Sequence, residues 1–181
     1  MNAHFWIRVA GAVAVATLAM ASAAAETVSF RADLNGDAIT SKTGSKATAK
    51  AALSIDTAKQ TVNMTLDVQG ISIDGLWDNL VAAPIGPIHL HHYATTDHAS
   101  GDGVTLVMPV PFGPNYVATP GGFRVTLKDY PYATAAKLVD TKLSFAQFKA
   151  SLEGGDVVLN IHTDAFNGGE ISGLIVPAEA H

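Results

Sequence analysis

Gly155-Asp156-Val157-Val158-Leu159-Asn160-Ile161-His162-Thr163 runs on into Asp164-Ala165-Phe166-Asn167-Gly168-Gly169-Glu170-Ile171-Ser172-Gly173-Leu174-Ile175-Val176, and this stretch decides the fold. Val157, Leu159 and Ile161 alternate with Asp156, Val158, Asn160 and His162. Successive side chains of a strand point to opposite faces. The aliphatic trio therefore turns towards a core, while Asn160 and His162 share the other face. The stretch predicts a strand, a tight connection and a second strand, an antiparallel hairpin near the end of the chain.

Immediately upstream, Ser144-Phe145-Ala146-Gln147 has the form of a capping box, in which Ser and Gln satisfy exposed N–H groups at a helix start. Phe145, Phe148 and Leu152 then fall on one face, and Gly154-Gly155 ends the helix. A second histidine-bearing strand lies earlier, at Pro87 to Tyr93. In Ile88-His89-Leu90-His91-His92, Ile88 and Leu90 take one face, His89 and His91 the other.

The remaining segments read as strands and turns. Thr27 to Leu34 alternates and is followed by the turn signal Asn35-Gly36-Asp37. Lys46 to Asp56 places Ala47, Ala49, Ala51, Leu53 and Ile55 on one face. Thr61 to Val68 places Val62, Met64, Leu66 and Val68 inward and Asn63, Thr65 and Asp67 outward, so the two runs form a hairpin. Val104 to Val110 and Phe123 to Leu127 are further strands, separated by an irregular Pro/Gly-rich connection. Ile71 to Gly86 is ambiguous; Trp77, Leu80, Val81 and Ile85 would cover an open end of the sheet, and the stretch leaves room for a helical turn. Ala94 to Gly103 is a polar surface loop. Seven or eight short strands with one short helix before the C-terminal hairpin indicate an all-β antiparallel sandwich or barrel.

The 181 residues suit one domain, residues 26–181, preceded by a signal peptide over residues 1–25. Arg8, the apolar run Val9 to Met20 and the small residues Ala21 to Ala25 give the three-part secretory layout, with cleavage expected after Ala23 or Ala25. The apolar run is short for a membrane span. Export to the periplasm or the exterior is the expectation, with no stable membrane insertion after cleavage. The formal net charge is -5 and the basic residues are scattered, which argues against nucleic acid. There is no cysteine, so disulfides, thiolate metal sites and a cysteine nucleophile are excluded. The roughly 155 residues that remain suffice for a hydrophobic core without cross-links. No Gly-x-Ser-x-Gly, Walker or dinucleotide-binding motif occurs.

The segment Gly155 to Thr163 with Gly168-Gly169-Glu170-Ile171-Ser172-Gly173 resembles the CHRD (chordin) domain family, whose hallmarks are an Asn-x-His-Thr strand and a Gly-Glu-Ile-x-Gly strand. His89-Leu90-His91 is similar to that family's earlier His-x-His strand, and Phe30 to Gly36 to its opening. The resemblance covers residues 28 to 176. His92-Tyr93 stands where the family often has Gly, and Ser172 where it often has Arg. The resemblance implies an extracytoplasmic, immunoglobulin-like β-barrel and does not imply an enzyme. A fainter similarity is to the Cu/Zn superoxide dismutase sandwich, where a His-x-His strand and a late-strand histidine hold copper.

The candidate ligands are His89, His91 and His162, with His98 closing over them as a fourth. Residues i and i+2 of a strand have α-carbons about 6.5–7 Å apart on one side, so their imidazoles can converge on one ion at about 2.0–2.1 Å. Imidazole suits copper and zinc, and copper has the higher intrinsic affinity. His92 joins only if a bulge re-aims it. Asp97 and Asp102 are lesser candidates, and Asn160 is placed to hydrogen-bond a ligand. Glu170 reads as a partner for hairpin groups, and Met64 as core. The expected partner is therefore a copper or zinc ion. A metal-free module that engages a protein is the alternative. A dismutase-like enzyme would further need a cation beside the metal, and the arginines beyond residue 25 are Arg31 and Arg124, both far from the histidines in sequence.

Overall fold

The computed structural model describes residues 26–38, 40–95, 98 and 103–178. The expected signal segment 1–25, Asp97 and Asp102 lie outside the described residues. The strands are β1 (Thr27–Asn35), β2 (Thr48–Asp56), β3 (Thr61–Gln69), β4 (Ile88–His92), β5 (Thr105–Val110), β6 (Tyr116–Thr119), β7 (Gly122–Pro131), β8 (Val157–Ile161), β9 (Ile171–Leu174) and β10 (Val176–Pro177). Every pairing among them is antiparallel, in the order β5-β4-β8-β9-β1-β2-β3-β7-β6, with β10 against β1. The fold is thus all-β, as expected, and takes the barrel side of the expected sandwich-or-barrel architecture. One continuous sheet curls into a half-barrel.

Alternation builds the core. Phe30, Ala32 and Leu34 of β1, Leu53 and Ile55 of β2, and Val62, Met64, Leu66 and Val68 of β3 are buried together with the β8 trio Val157, Leu159 and Ile161. Each large apolar side chain buried this way contributes about 1.5–3 kcal/mol relative to exposure. On the outer face, Asp33 lies opposite Lys50, Lys50 opposite Asp67, and Asp67 opposite Arg124. Opposite charges facing one another across four strands favour this register, because a slip of one residue would break every pair and expose the core face. Arg124 pairs with Asp67 and Arg31 with Asp33.

Three α-helices are present among the described residues: α1 (Asp78–Val81), α2 (Tyr132–Leu138) and α3 (Phe145–Gly154). The single helix expected before the C-terminal hairpin is α3, and its capping box forms in both directions between Ser144 and Gln147. α1 is the helical turn for which the stretch Ile71 to Gly86 left room, and α2 is an addition to that count. α2 has no side-chain cap, so it lacks the start signal that marks α3; only its run of helix formers after Pro131 hints at it. It packs on β5 and β7, and Tyr132 stacks on Phe148 of α3 at 4.6 Å. Nearby, the buried Tyr116 hydroxyl donates to the Val110 carbonyl at 2.8 Å, which ties the edge strands β6 and β5 together.

The C-terminal hairpin has a longer connection than expected. Ile161 pairs with Ile171, and the chain from His162 to Glu170 forms a looped excursion held by its own hydrogen bonds. On the far side of β9, a Cβ on Gly173 would collide with the Asp33 carbonyl. Glycine here lets β9 pass close against β1.

Candidate metal centre

β4 and β8 are neighbours in the sheet, and His89 pairs with Asn160 across the ladder. One step further along, the His162 N–H donates to the Pro87 carbonyl at 2.9 Å. His89, His91 and His162 therefore sit on the same outer face, as strand parity predicts. One potential ligand atom from each lies within 4.8 Å of the others. The shortest approach is His89 Nδ1 to His162 Nε2, 3.1 Å. Two nitrogens on one tetrahedral ion, each at 2.0–2.1 Å, would stand about 3.3 Å apart. The separation equally allows a hydrogen bond from His89 to His162 when no ion is bound.

This part of the outer face is covered. His89 is 4% and His162 8% exposed, and His91 is half-buried. Burial pushes the His89 ring down to about 3, helped by the neighbouring His162 and His91. It pushes His91 down to about 4, with His162 adding to the effect and Asn160 opposing it. His162 is lowered by burial, against the pull of the Asn167 carbonyl. All three rings are neutral at pH 7, the form in which imidazole ligates metal. His89 Nε2 and His91 Nε2 are buried without a hydrogen-bond partner. An unsatisfied buried polar group costs about 1–3 kcal/mol, so the cluster holds unspent capacity for a ligand.

The supports of His162 come from three directions. Its Nδ1 lies 2.7 Å from the Asn167 carbonyl. Its own carbonyl accepts from Trp77 N–H at 3.2 Å, and Leu76 bridges to Thr163. The Asp78 N–H at the start of α1 donates to Asp164 Oδ1 at 3.2 Å. This is the outcome for the ambiguous stretch Ile71 to Gly86: Leu76 is the fully buried plug, and the Trp77 ring flanks His162 at 6.3 Å.

Glu170 behaves as the hairpin partner that its position suggested. It accepts from Thr163 Oγ1 at 2.7 Å and from Ser45 Oγ at 2.6 Å. Thr43 Oγ1 donates to the Glu170 carbonyl at 2.7 Å. Thr40 and Ser41 hydroxyls reach the fully buried Ser172. The loop between β1 and β2 thus closes over β9 and fastens the loop that carries His162. Sequence reasoning gave this loop no role; its run of Thr and Ser hydroxyls opposite a lone carboxylate was the available signal.

The other expected residues fall elsewhere. His98 is not part of the cluster of His89, His91 and His162; its ring packs edge-on to Tyr93 at 5.2 Å. It lines a cavity of about 190 Å³ with Thr40, Val158 and Ser172. His92 keeps the parity of Ile88 and Leu90, because β4 pairs with β8 without interruption. The bulge lies on the other side, where the β4–β5 register shifts between Leu90 and His91. Met64 is core.

A curled antiparallel sheet with a buried histidine cluster on its outer face defines an all-β module with a candidate metal centre. The chain matches the CHRD domain over residues 30–175, and it belongs to that family. No curated protein and no solved structure matches it.

Proposed function

We propose that this CHRD-domain protein is exported and binds a transition metal, copper ahead of zinc, through His89, His91 and His162, for storage, delivery or sensing. The observation that carries the reading is the convergence of three neutral, largely buried imidazoles from β4 and the end of β8. The hydrogen bond between His162 and a backbone carbonyl supports it, since ligating histidines habitually give their other N–H to such a group. Copper is placed first because its affinity for nitrogen donors exceeds that of zinc. Export rests on the residue pattern of positions 1–25. Among the described residues, no helix is long and apolar enough to cross a membrane.

A dismutase-like activity has less support. It needs a cation beside the metal, and Arg31 on β1 and Arg124 on β7 are paired with Asp33 and Asp67.

The test is calorimetric titration of the purified protein with Cu(II) and Zn(II), repeated on His91→Ala and His162→Ala. Loss of an outer-shell partner costs about 10–100-fold in metal affinity, so loss of a ligand should cost at least that. Equal affinity in wild type and both variants would remove the site. A metal-free role as a protein-binding module would then be the reading left, and co-purification of a partner in the presence of chelator would support it.

A further inference from the structure

We propose that His89 holds the metal through Nδ1, the atom that carries its proton in the metal-free cluster, and that loading moves this proton to Nε2. This rests on the metal reading above and adds which ring atoms bind and what must move before they can. The assignment starts at His162. Its Nδ1 lies 2.7 Å from the Asn167 carbonyl, a group that only accepts. Burial keeps the ring neutral, so its one proton sits on Nδ1 and Nε2 carries a lone pair. His89 Nδ1 stands 3.1 Å from that lone pair. Two bare lone pairs at this distance repel, so without an ion between them His89 Nδ1 is the donor. A neutral ring has one proton, and His89 Nε2 is therefore bare; it is buried without a hydrogen-bond partner.

The ladder explains why these two atoms meet. His89 faces Asn160 across β4 and β8, so His162, two residues on, is its diagonal neighbour. Diagonal neighbours have α-carbons about 7–8 Å apart. The rings close that gap near nitrogen to far nitrogen, Nδ1 of His89 against Nε2 of His162. The far nitrogen of His89 is turned away from this contact. Turning the ring over to offer Nε2 instead is opposed by close packing, because His89 is 4% exposed, with the His162 ring at 4.8 Å and the His91 ring at 5.7 Å.

A metal ligand must offer a lone pair, and the shared proton occupies the place where the ion would sit. Loading therefore exchanges one for the other. The Nδ1–H bond of His89 breaks and its proton leaves to water. A proton is taken up from water at Nε2, the one position left on the ring. The ring begins and ends neutral, and no net proton is consumed. Until that exchange takes place, His89 and His162 are closed to an ion by their own hydrogen bond. His91 is the least buried of the three, and its Nε2 has no partner. It is the first contact for an incoming ion, and the other two rings follow once the proton has moved.

The experiment records nitrogen-15 long-range correlation spectra of the wild-type protein, with the imidazole signals assigned through bonds. Spectra are taken metal-free and after one equivalent of Zn(II), or of Cu(I) under anaerobic conditions where Zn(II) is not retained; both ions are diamagnetic. The expected result is a His89 proton on Nδ1 before loading and on Nε2 after it, with the metal-induced shift at Nδ1. His162 should keep its Nδ1 proton throughout. A metal-induced shift at His89 Nε2 with Nδ1 still protonated, or an Nε2–H form of His89 already present in the metal-free protein, overturns the inference and leaves the metal reading intact. Bound metal with unchanged His89 signals does the same and removes His89 from the ligands. If neither ion binds, this inference falls, and the Cu(II) titration above decides whether the metal reading falls with it.

Discussion

The Asn167 carbonyl accepts a hydrogen bond from His162 Nδ1 at 2.7 Å. A carbonyl oxygen can only accept, so the single proton of the neutral ring resides on Nδ1. The Nε2 lone pair is then left facing His89, 3.1 Å away. In nitrogen-15 spectra of the metal-free protein at neutral pH, His162 is expected as the Nδ1–H tautomer. Addition of metal should shift Nε2 strongly and leave Nδ1 protonated. An Nε2–H tautomer would mean that the ring cannot present its lone pair to the cluster.

Acid sensitivity follows from the depressed histidines. Burial first, and then the other histidines, hold His89 at about 3 and His91 at about 4, whereas in an unfolded chain both titrate near about 6.5. Between those values the unfolded chain binds more protons than the folded one, so stability rises with pH. Their contribution is fully present above about pH 6.5 and is lost as pH falls towards the folded values. The Tm of metal-free protein should therefore drop as pH is lowered from about 7.5 to 4.5, and His91→Gln should show a shallower drop. Parallel slopes in the two proteins would show that His91 is not held neutral by the fold.

Glu170 makes no contact with the ligand atoms, yet its removal should reach them. Glu170→Ala deletes the acceptors of Thr163 and Ser45 hydroxyls. Hydrogen bonds to a charged group are worth about 1.5–3 kcal/mol net when well buried, and partial exposure here brings the expected total loss to about 2–3 kcal/mol in urea unfolding. Metal affinity should fall as well, because the loop carrying His162 loses its tether. Unchanged affinity would show that β4 and β8 alone define the site.

Ser144→Ala supplies the contrast. It removes the reciprocal cap of α3 and should cost about 1 kcal/mol of stability. The helix packs on β10 and supplies none of the three histidines, so metal titration should be unaltered. A parallel loss of metal affinity would indicate that the site responds to global stability alone.

The sequence carried the parts of the fold that depend on period two. Strand parity in β1, β2, β3, β4 and β8 could be read from alternating residues, and it predicted that His89, His91 and His162 share the outer face. It could not reveal that β4 and β8 are neighbours, since strand order depends on long-range packing. The capping box announced α3 because that signal is local. α2 carries no cap, and β6 sits in a Pro/Gly-rich stretch whose turn residues mask a short strand. His98 was drawn to the site by its place in a polar loop after β4, but a loop residue has no periodicity to fix its direction, and its ring instead rests on Tyr93. Tertiary contacts also decided the covering of the outer face: the hydroxyls of the β1–β2 loop act only once β9 is beside β1.

Strand order also sets when the cluster comes into being. His89 and His91 lie on β4, but their companion is 73 residues further on from His89, beyond β5, β6, β7, α2 and α3. A nascent or unfolded chain has no assembled donor set, because the loop must close before the third ring arrives, at an entropic cost that grows only slowly with its length. Completion of folding and readiness for metal are therefore the same event. An ion bound at that point would pin an early strand to a late loop and, by binding only the folded chain, would draw the equilibrium towards it.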